Sequence, residues 1–327
     1  MSYVLSCYSA FHCIAGRCRH TCCKGWEIDI DSDTARLYAQ LGGALGDRLR
    51  EAIGTDHDGN SYFRLDEDER CPMLRPDGLC DLILELGEEA LCDICAMHPR
   101  FCHDLPDRTE IGLGLCCEEA ARLQLTWREK MYLTDGDEND VVSGKTDASA
   151  VPPAGRSFFA PGKTAEKPFS PFGAKRDQVI ALLQDRDLPV LQRMKNVADM
   201  ESLTWPEDSV ALASMISDLE TMDPEWTRRL KAMTAPADRS ADDPEWQMML
   251  EQLAVVLVFR HVPPDLPDEE VRGRLALVLA SHALIMDLTL NENGPDRNLL
   301  PEIARQFSSE IEYSDENPER LIGKLMS

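Results

Sequence analysis

The sequence predicts a mainly α protein, with a cysteine-rich metal-binding N-terminal domain carrying short β elements, followed by a C-terminal helical bundle. Three observations predict it. All 12 cysteines lie between Cys7 and Cys117. The chain beyond about Arg176 is a run of amphipathic segments with apolar residues at helical spacing. Between these parts lies a long stretch rich in Gly, Pro, Ser and Asp that has no periodicity. The expected domains are therefore 1–130, cysteine-rich; 131–175, a linker or mobile loop; and 176–327, helical.

Taken in order, Glu27-Ile-Asp-Ile-Asp31 alternates apolar and acidic residues, as an edge strand with one wet face does. FRLDEDERCPMLRPDGLCDL, residues 63–82, has turn signals at Arg70-Cys71-Pro72 and Pro76-Asp77-Gly78, which predicts two short extended pieces joined by a tight turn. ILELGEEALCDICAMHP, residues 83–99, reads as one helical stretch ended by Pro99. EEAARLQLTWREKM reads as a helix that closes the domain. Phe158, Phe159, Phe169 and Phe172 in the following stretch predict that parts of it pack onto a neighbouring surface. Next, RDQVIALLQDRDLPVLQRMKNVADM gives two helices or one kinked at Pro189. DSVALASMISDLETM, PEWQMMLEQLAVVLVFRHV, EEVRGRLALVLASHALIMDLTLN and LLPEIARQFSSEIEYS add four more, for a bundle of about six. Their Leu and Met residues are read as core.

A formal charge of −25 argues against nucleic acid, which is held by clustered Lys and Arg. The start, MSYVLSCYSAFHC, lacks a basic segment followed by a long apolar one, so no secretory signal is expected. No uninterrupted apolar run reaches the roughly 18 residues of a membrane span, so no membrane partner is expected. The expected compartment is the cytoplasm, where thiols stay reduced. A disulfide scaffold belongs to small secreted chains, so metal binding is the stronger reading of the cysteines.

Thiolate is the soft ligand that selects zinc or iron–sulfur clusters, and four make a closed tetrahedral set. Four loops offer it: Cys13, Cys18, Cys22 and Cys23; Cys71 and Cys80; Cys92 and Cys95; and Cys116 and Cys117. Cys92-Asp-Ile-Cys95 has a spacing that brings two sulfurs onto one ion. The plain alternative is that some, such as Cys7, Cys92, Cys102 and Cys116, are small buried hydrophobes. His12, His20, His98 and His103 lie near cysteines and offer nitrogen ligands, although a hydrogen-bonded or solvated role is the more ordinary one for each. Trp26 reads as a core anchor for the first loop. Numerous thiols with few well-spaced histidines favour a 4Fe–4S cluster over Zn.

These residues resemble a known family. FHCIAGRCRHTCCKGWEIDID is similar to the opening signature of the flagellin lysine-N-methylases, Cys-x4-Cys-x3-Cys-Cys followed by Gly-Trp and an Ile/Asp alternation. RCPMLRPDGLC, ELGEEALCDICAMHPR and LCCEEAARL resemble later motifs, and FSSEIEYSDEN a motif near the other end. Tyr313 stands where the family pattern has His, and Glu118 where it has Pro.

The resemblance marks Cys13, Cys18, Cys22, Cys23, Cys71, Cys80, Cys95 and Cys117 as pattern cysteines and metal ligands. It leaves Cys7, Cys92, Cys102 and Cys116 as extras. It implies methyl transfer from S-adenosylmethionine to lysine side chains of flagellin. Asp29, Asp31, Glu310, Glu312 and Glu316 are the acidic residues inside matched motifs and so the catalytic candidates, able to attract an ammonium. The methyl-donor site stays unassigned: Ile111-Gly-Leu-Gly-Leu115 is the nearest Gly-rich string and lacks a strand–helix context. The three-cysteine run of radical S-adenosylmethionine enzymes is absent. The competing class is a non-enzymatic metal carrier or sensor.

Overall fold

A computed structural model describes residues 1–136, 175–235 and 237–327. Seven strands are found among them: β1 (Ser2–Leu5), β2 (Asp29–Ile30), β3 (Ile53–Thr55), β4 (Ser61–Phe63), β5 (Arg100–Asp104), β6 (Thr109–Leu113) and β7 (Leu133–Asp135). Thirteen α-helices accompany them. They are α1 (Ser32–Gln40), α2 (Gly43–Ala52), α3 (Asp81–Leu86), α4 (Asp93–Met97), α5 (Glu118–Leu125), α6 (Lys175–Leu183), α7 (Val190–Met200), α8 (Ser209–Ser217), α9 (Pro224–Ala232), α10 (Pro244–His261), α11 (Asp268–Asn293), α12 (Leu299–Phe307) and α13 (Asn317–Leu325). Helix dominates, as the sequence predicts.

The chain forms two compact units. Among the described residues, one is His12–Phe101; the other joins Met1–Phe11 and Cys102–Gly136 to the residues from 175 onward. The expected boundary near residue 130 is thus not where the chain divides. The physical reason is strand pairing: β1 runs parallel to β6, with Ser2 opposite Thr109, and antiparallel to β7, with Tyr3 opposite Asp135. This four-stranded sheet, in the order β5-β6-β1-β7, ties the N-terminus to the segment preceding the helices. The expected linker at 131–175 takes in the whole of β7; residues 137–174, with the four Phe residues, lie outside the described residues.

In the helical unit, α10 and α11 are apolar all round, and each is buried along most of its length. α11 packs against α10, α12 and α13. It is long and apolar enough to cross a membrane by length and composition, yet 83% of its most apolar window is buried. The segment around Pro189 resolves into two helices, α6 and α7, with Pro189 as the N-cap of α7.

The His12–Phe101 unit has a three-stranded antiparallel sheet, order β2-β4-β3, with Asp29 opposite Tyr62 and Ile53 opposite Phe63. β2 is its edge, as the alternation in residues 27–31 predicts. The turn expected at Pro76-Asp77-Gly78 is present, closed by hydrogen bonds from Arg75 N–H to Leu79 O and from Gly78 N–H to Arg75 O. Residues 83–99 do not make one helix. Gly87, at φ 94°, breaks the run into α3, a 3-10 turn at Glu88–Ala90 and α4.

Candidate functional site

The cysteine loops of the first unit are held together by backbone. Cys71 N–H donates to Cys23 O at 2.8 Å, Gly25 N–H to Glu69 O at 3.0 Å, and Asp81 N–H to Met73 O at 2.9 Å. Gly25 adopts φ 83°, which turns the chain after the Cys22-Cys23 pair. A Cβ on Gly16 would stand 2.6 Å from Asp77 O, so only glycine lets the first loop lie against the turn at 75–79. Trp26 anchors that loop, donating from Nε1 to Cys22 O at 2.6 Å, with its ring 5.9 Å from that of His98.

Five thiols gather as a result. Cys71 and Cys92 belong to the unit's core, and Cys23, Cys80 and Cys95 pack against it. They sense one another's charge. Burial pushes the Cys71 thiol up to about 12, and the neighbouring Cys23, Cys80 and Cys92 add to this. Cys95 is raised by its hydrogen bond to Cys92, by burial, and by charge at Cys92, Cys23 and Cys71. Cys92 is lowered, chiefly by its hydrogen bond with Cys95. Cys23 is brought down to about 7 by its hydrogen bond with Cys22, against the opposing effect of burial. Burial raises the phenol of Tyr38, as do Cys92, Cys95 and Cys80, while its hydroxyl donates to Ala90 O at 2.6 Å.

Four pattern cysteines thus converge with Cys92, which motif comparison sets aside as an extra. Of the other pattern cysteines, Cys13 is exposed, Cys18 donates to His20 O at 3.2 Å, Cys22 is exposed and hydrogen-bonded to Cys23, and Cys117 belongs to the other unit. Among the described residues no group of three or more His, Cys, Asp or Glu side chains is arranged to hold a metal ion. Of the histidines, burial and then the charge of Arg100 lower His98 to about 4, and His103 Nε2 lies 3.0 Å from Phe259 O in the helical unit.

The acidic candidates occupy different surroundings. Asp29 is exposed on β2. Asp31 is the N-cap of α1, accepting from Thr34 N–H at 2.9 Å and Asp93 N–H at 3.1 Å. Burial opposes its ionisation, but these bonds outweigh that and hold it below the usual carboxylate range. Glu310 accepts from Met222 N–H and Asp223 N–H at 2.7 and 3.0 Å, fixing the loop before α9. Glu316 is the N-cap of α13, and its exposed side chain lies 3.7 Å from Arg320. Asp31, Glu310 and Glu316 serve local structure in these positions.

Glu312 differs. It ends a π-helical turn, Ser308–Glu312, that continues α12, a form of helix found disproportionately at functional sites. Its Oε1 lies 2.6 Å from Nε2 of His261, and both side chains are buried. Burial alone would raise the Glu312 carboxyl; the hydrogen bond and charge of His261, with Arg260 beyond, hold it down to about 2. The Arg260 guanidinium lies 4.6 Å from the centre of the Tyr313 ring. The Tyr313 hydroxyl is hydrogen-bonded to the Cys116 thiol, which burial raises to about 12. His261 escaped the sequence reading. Its one signal is a polar Arg-His ending after the apolar run Leu253–Phe259.

Over 134 residues the chain is 31% identical to the Lysine-N-methylases of Salmonella typhimurium strain LT2 and of Salmonella choleraesuis strain SC-B67, covering 38% of this chain and 32% of each relative. It is also 31% identical over 132 residues to the Flagellar biosynthetic protein FliU of Salmonella muenchen, covering 76% of that protein. The chain belongs to the flagellin lysine methylase family. It matches about a third of the length of the two Lysine-N-methylases. No family model matches the chain, and no solved structure does. Within the flagellin lysine methylase family, this member thus offers two sites of different character, a thiol-rich core and a buried carboxylate–imidazole pair.

Proposed function

We propose that the protein N-methylates lysine side chains of flagellin, with S-adenosylmethionine as methyl donor and a metal centre held by cysteines. The observation that carries this reading is the match to FliU, which extends over 76% of a relative named for flagellar biosynthesis, together with the lysine-N-methylase names of the other relatives. The chemistry asks for a neutral amine aligned with an electrophilic methyl group, and therefore for a group that takes a proton from the ammonium. A buried carboxylate–imidazole pair is suited to that task.

For the metal, the donor chemistry fits. Cys23, Cys71, Cys80, Cys92 and Cys95 are soft ligands in one core, and a bound cation would relieve the mutual repulsion that opposes their ionisation. A 4Fe–4S cluster is favoured over zinc by this all-sulfur donor set. Once bound, it would order loops that carry little secondary structure of their own.

Incubation of the purified protein with labelled S-adenosylmethionine and flagellin tests the activity. The expected result is methyl-lysine in flagellin peptides by mass spectrometry. Metal uptake without any transfer would overturn it and favour a metal carrier.

A further inference from the structure

The end of α10 and the π-helical turn after α12 bring Glu312, an acidic residue of a matched motif, against His261, which no motif marks. His261 Nε2 and Glu312 Oε1 are 2.6 Å apart, and the two side chains are 8% and 1% exposed. A carboxylate only accepts, so Nε2 carries the hydrogen and the lone pair of the neutral imidazole falls on Nδ1. The hydrogen bond of this ring among the described residues is the one at Nε2, which leaves Nδ1 open. Glu312 Oε2 is buried and makes no hydrogen bond, and its ion-pair contact is with Arg260 Nε at 3.8 Å. Next in the chain stands Tyr313, 43% exposed, with Arg260 over its ring. An imidazole oriented by a buried carboxylate is equipped to take a proton, and the aromatic ring next in the chain to that carboxylate offers an arriving side chain an apolar surface.

We propose that His261 is the proton acceptor for the substrate lysine, with Glu312 as its positioning residue and the Tyr313 ring as the surface the lysine side chain crosses. This rests on the reading of the chain as a lysine methylase. An N–H bond of the ammonium breaks and its proton passes to His261 Nδ1, giving an imidazolium paired with the Glu312 carboxylate. The freed Nζ lone pair then bonds to the methyl carbon of a sulfonium donor. The carbon–sulfur bond breaks with its electron pair left on sulfur as a neutral thioether, and the positive charge ends on the methylated nitrogen. His261 returns its proton to water.

Two measurements test this. Nitrogen-15 NMR of the wild-type chain reads the tautomer directly: neutral His261 is expected as Nε2–H with a bare Nδ1, and an Nδ1–H tautomer overturns the proposal whatever the activity. Kinetics then compare flagellin peptides carrying lysine with peptides carrying thialysine, whose amine gives up its proton more readily. His261→Gln should lower kcat on lysine by about 10²-fold or more with little change in KM, and lose much less on thialysine. Equal losses on both substrates, or no loss, overturn the proposal. A wild-type chain that transfers no methyl overturns the functional reading and the dyad's role together, whereas an active wild type with a fully active His261→Gln overturns the dyad alone.

Discussion

At the scale of single residues, buried charges separate structural groups from candidates for chemistry. Glu251, 1% exposed, is fully engaged: Arg193 Nη1 lies 2.6 Å from one oxygen, and Arg186 forks onto both at 2.7–3.0 Å. Glu251→Ala leaves the nearly buried Arg193 with carbonyls alone, and is expected to destabilise the helical unit by about 3–5 kcal/mol in denaturant melts. Glu312, equally buried, has an oxygen that makes no hydrogen bond and meets Arg260 at 3.8 Å, and that difference marks it out. Its carboxyl sits at about 2 against an unperturbed 4.5, so its ionised form is favoured in the folded state. The stability this brings is fully present above the unfolded value and is lost as pH falls from about 4.5 through about 2. Glu312→Gln should flatten the pH dependence of unfolding in that window; an unchanged slope would show that the carboxylate is not held by His261. Glu312 was legible in sequence only because it falls in a motif. His261 was not, because a pairing across 51 residues leaves no periodicity to read.

At the scale of elements, periodicity found the long helices and missed what close approach decides. The apolar runs of α10 and α11 announce buried helices without ambiguity. α3 and α4 escaped because local propensity in residues 83–99 favours one helix, while Gly87 in the left-handed region turns the chain toward Cys92 and Cys95. α9 and α13 were hidden by their high content of charge and by Pro at their starts, Pro224 and Pro318. Glycine carries a testable consequence in the cysteine loops. Gly16→Ala would place a methyl group 2.6 Å from Asp77 O, a backbone atom with little freedom to yield. The variant should destabilise the His12–Phe101 unit by about 1–3 kcal/mol, as overpacked sites do. Gly42→Ala, where φ is −95° and an added Cβ meets nothing within 4 Å, is the control in the same unit. Equal effects of the two would remove steric approach as the explanation.

At the scale of the whole molecule, the two units differ in how they are stabilised. The helical unit buries long apolar helices, and its stability follows from that burial. The His12–Phe101 unit has short elements, a sheet of two- and three-residue strands, and five thiols where a larger core would have aliphatic side chains. On the metal-bound reading proposed above, folding such a unit without its cation would leave its sulfurs protonated or mutually repelling, which would couple metal and folding there and not in the helices. Protein purified without oxygen is expected to be brown, with absorbance in the blue; a colourless sample with stoichiometric zinc would replace the iron–sulfur preference by a zinc site. Removal of the metal should then act on one unit. Amide hydrogen exchange in residues 12–101 is expected to accelerate strongly on chelation, while exchange within α10 and α11 stays slow. Loosening of both units alike, or of neither, would mean that the thiols are packing groups and that the metal, if any, lies elsewhere.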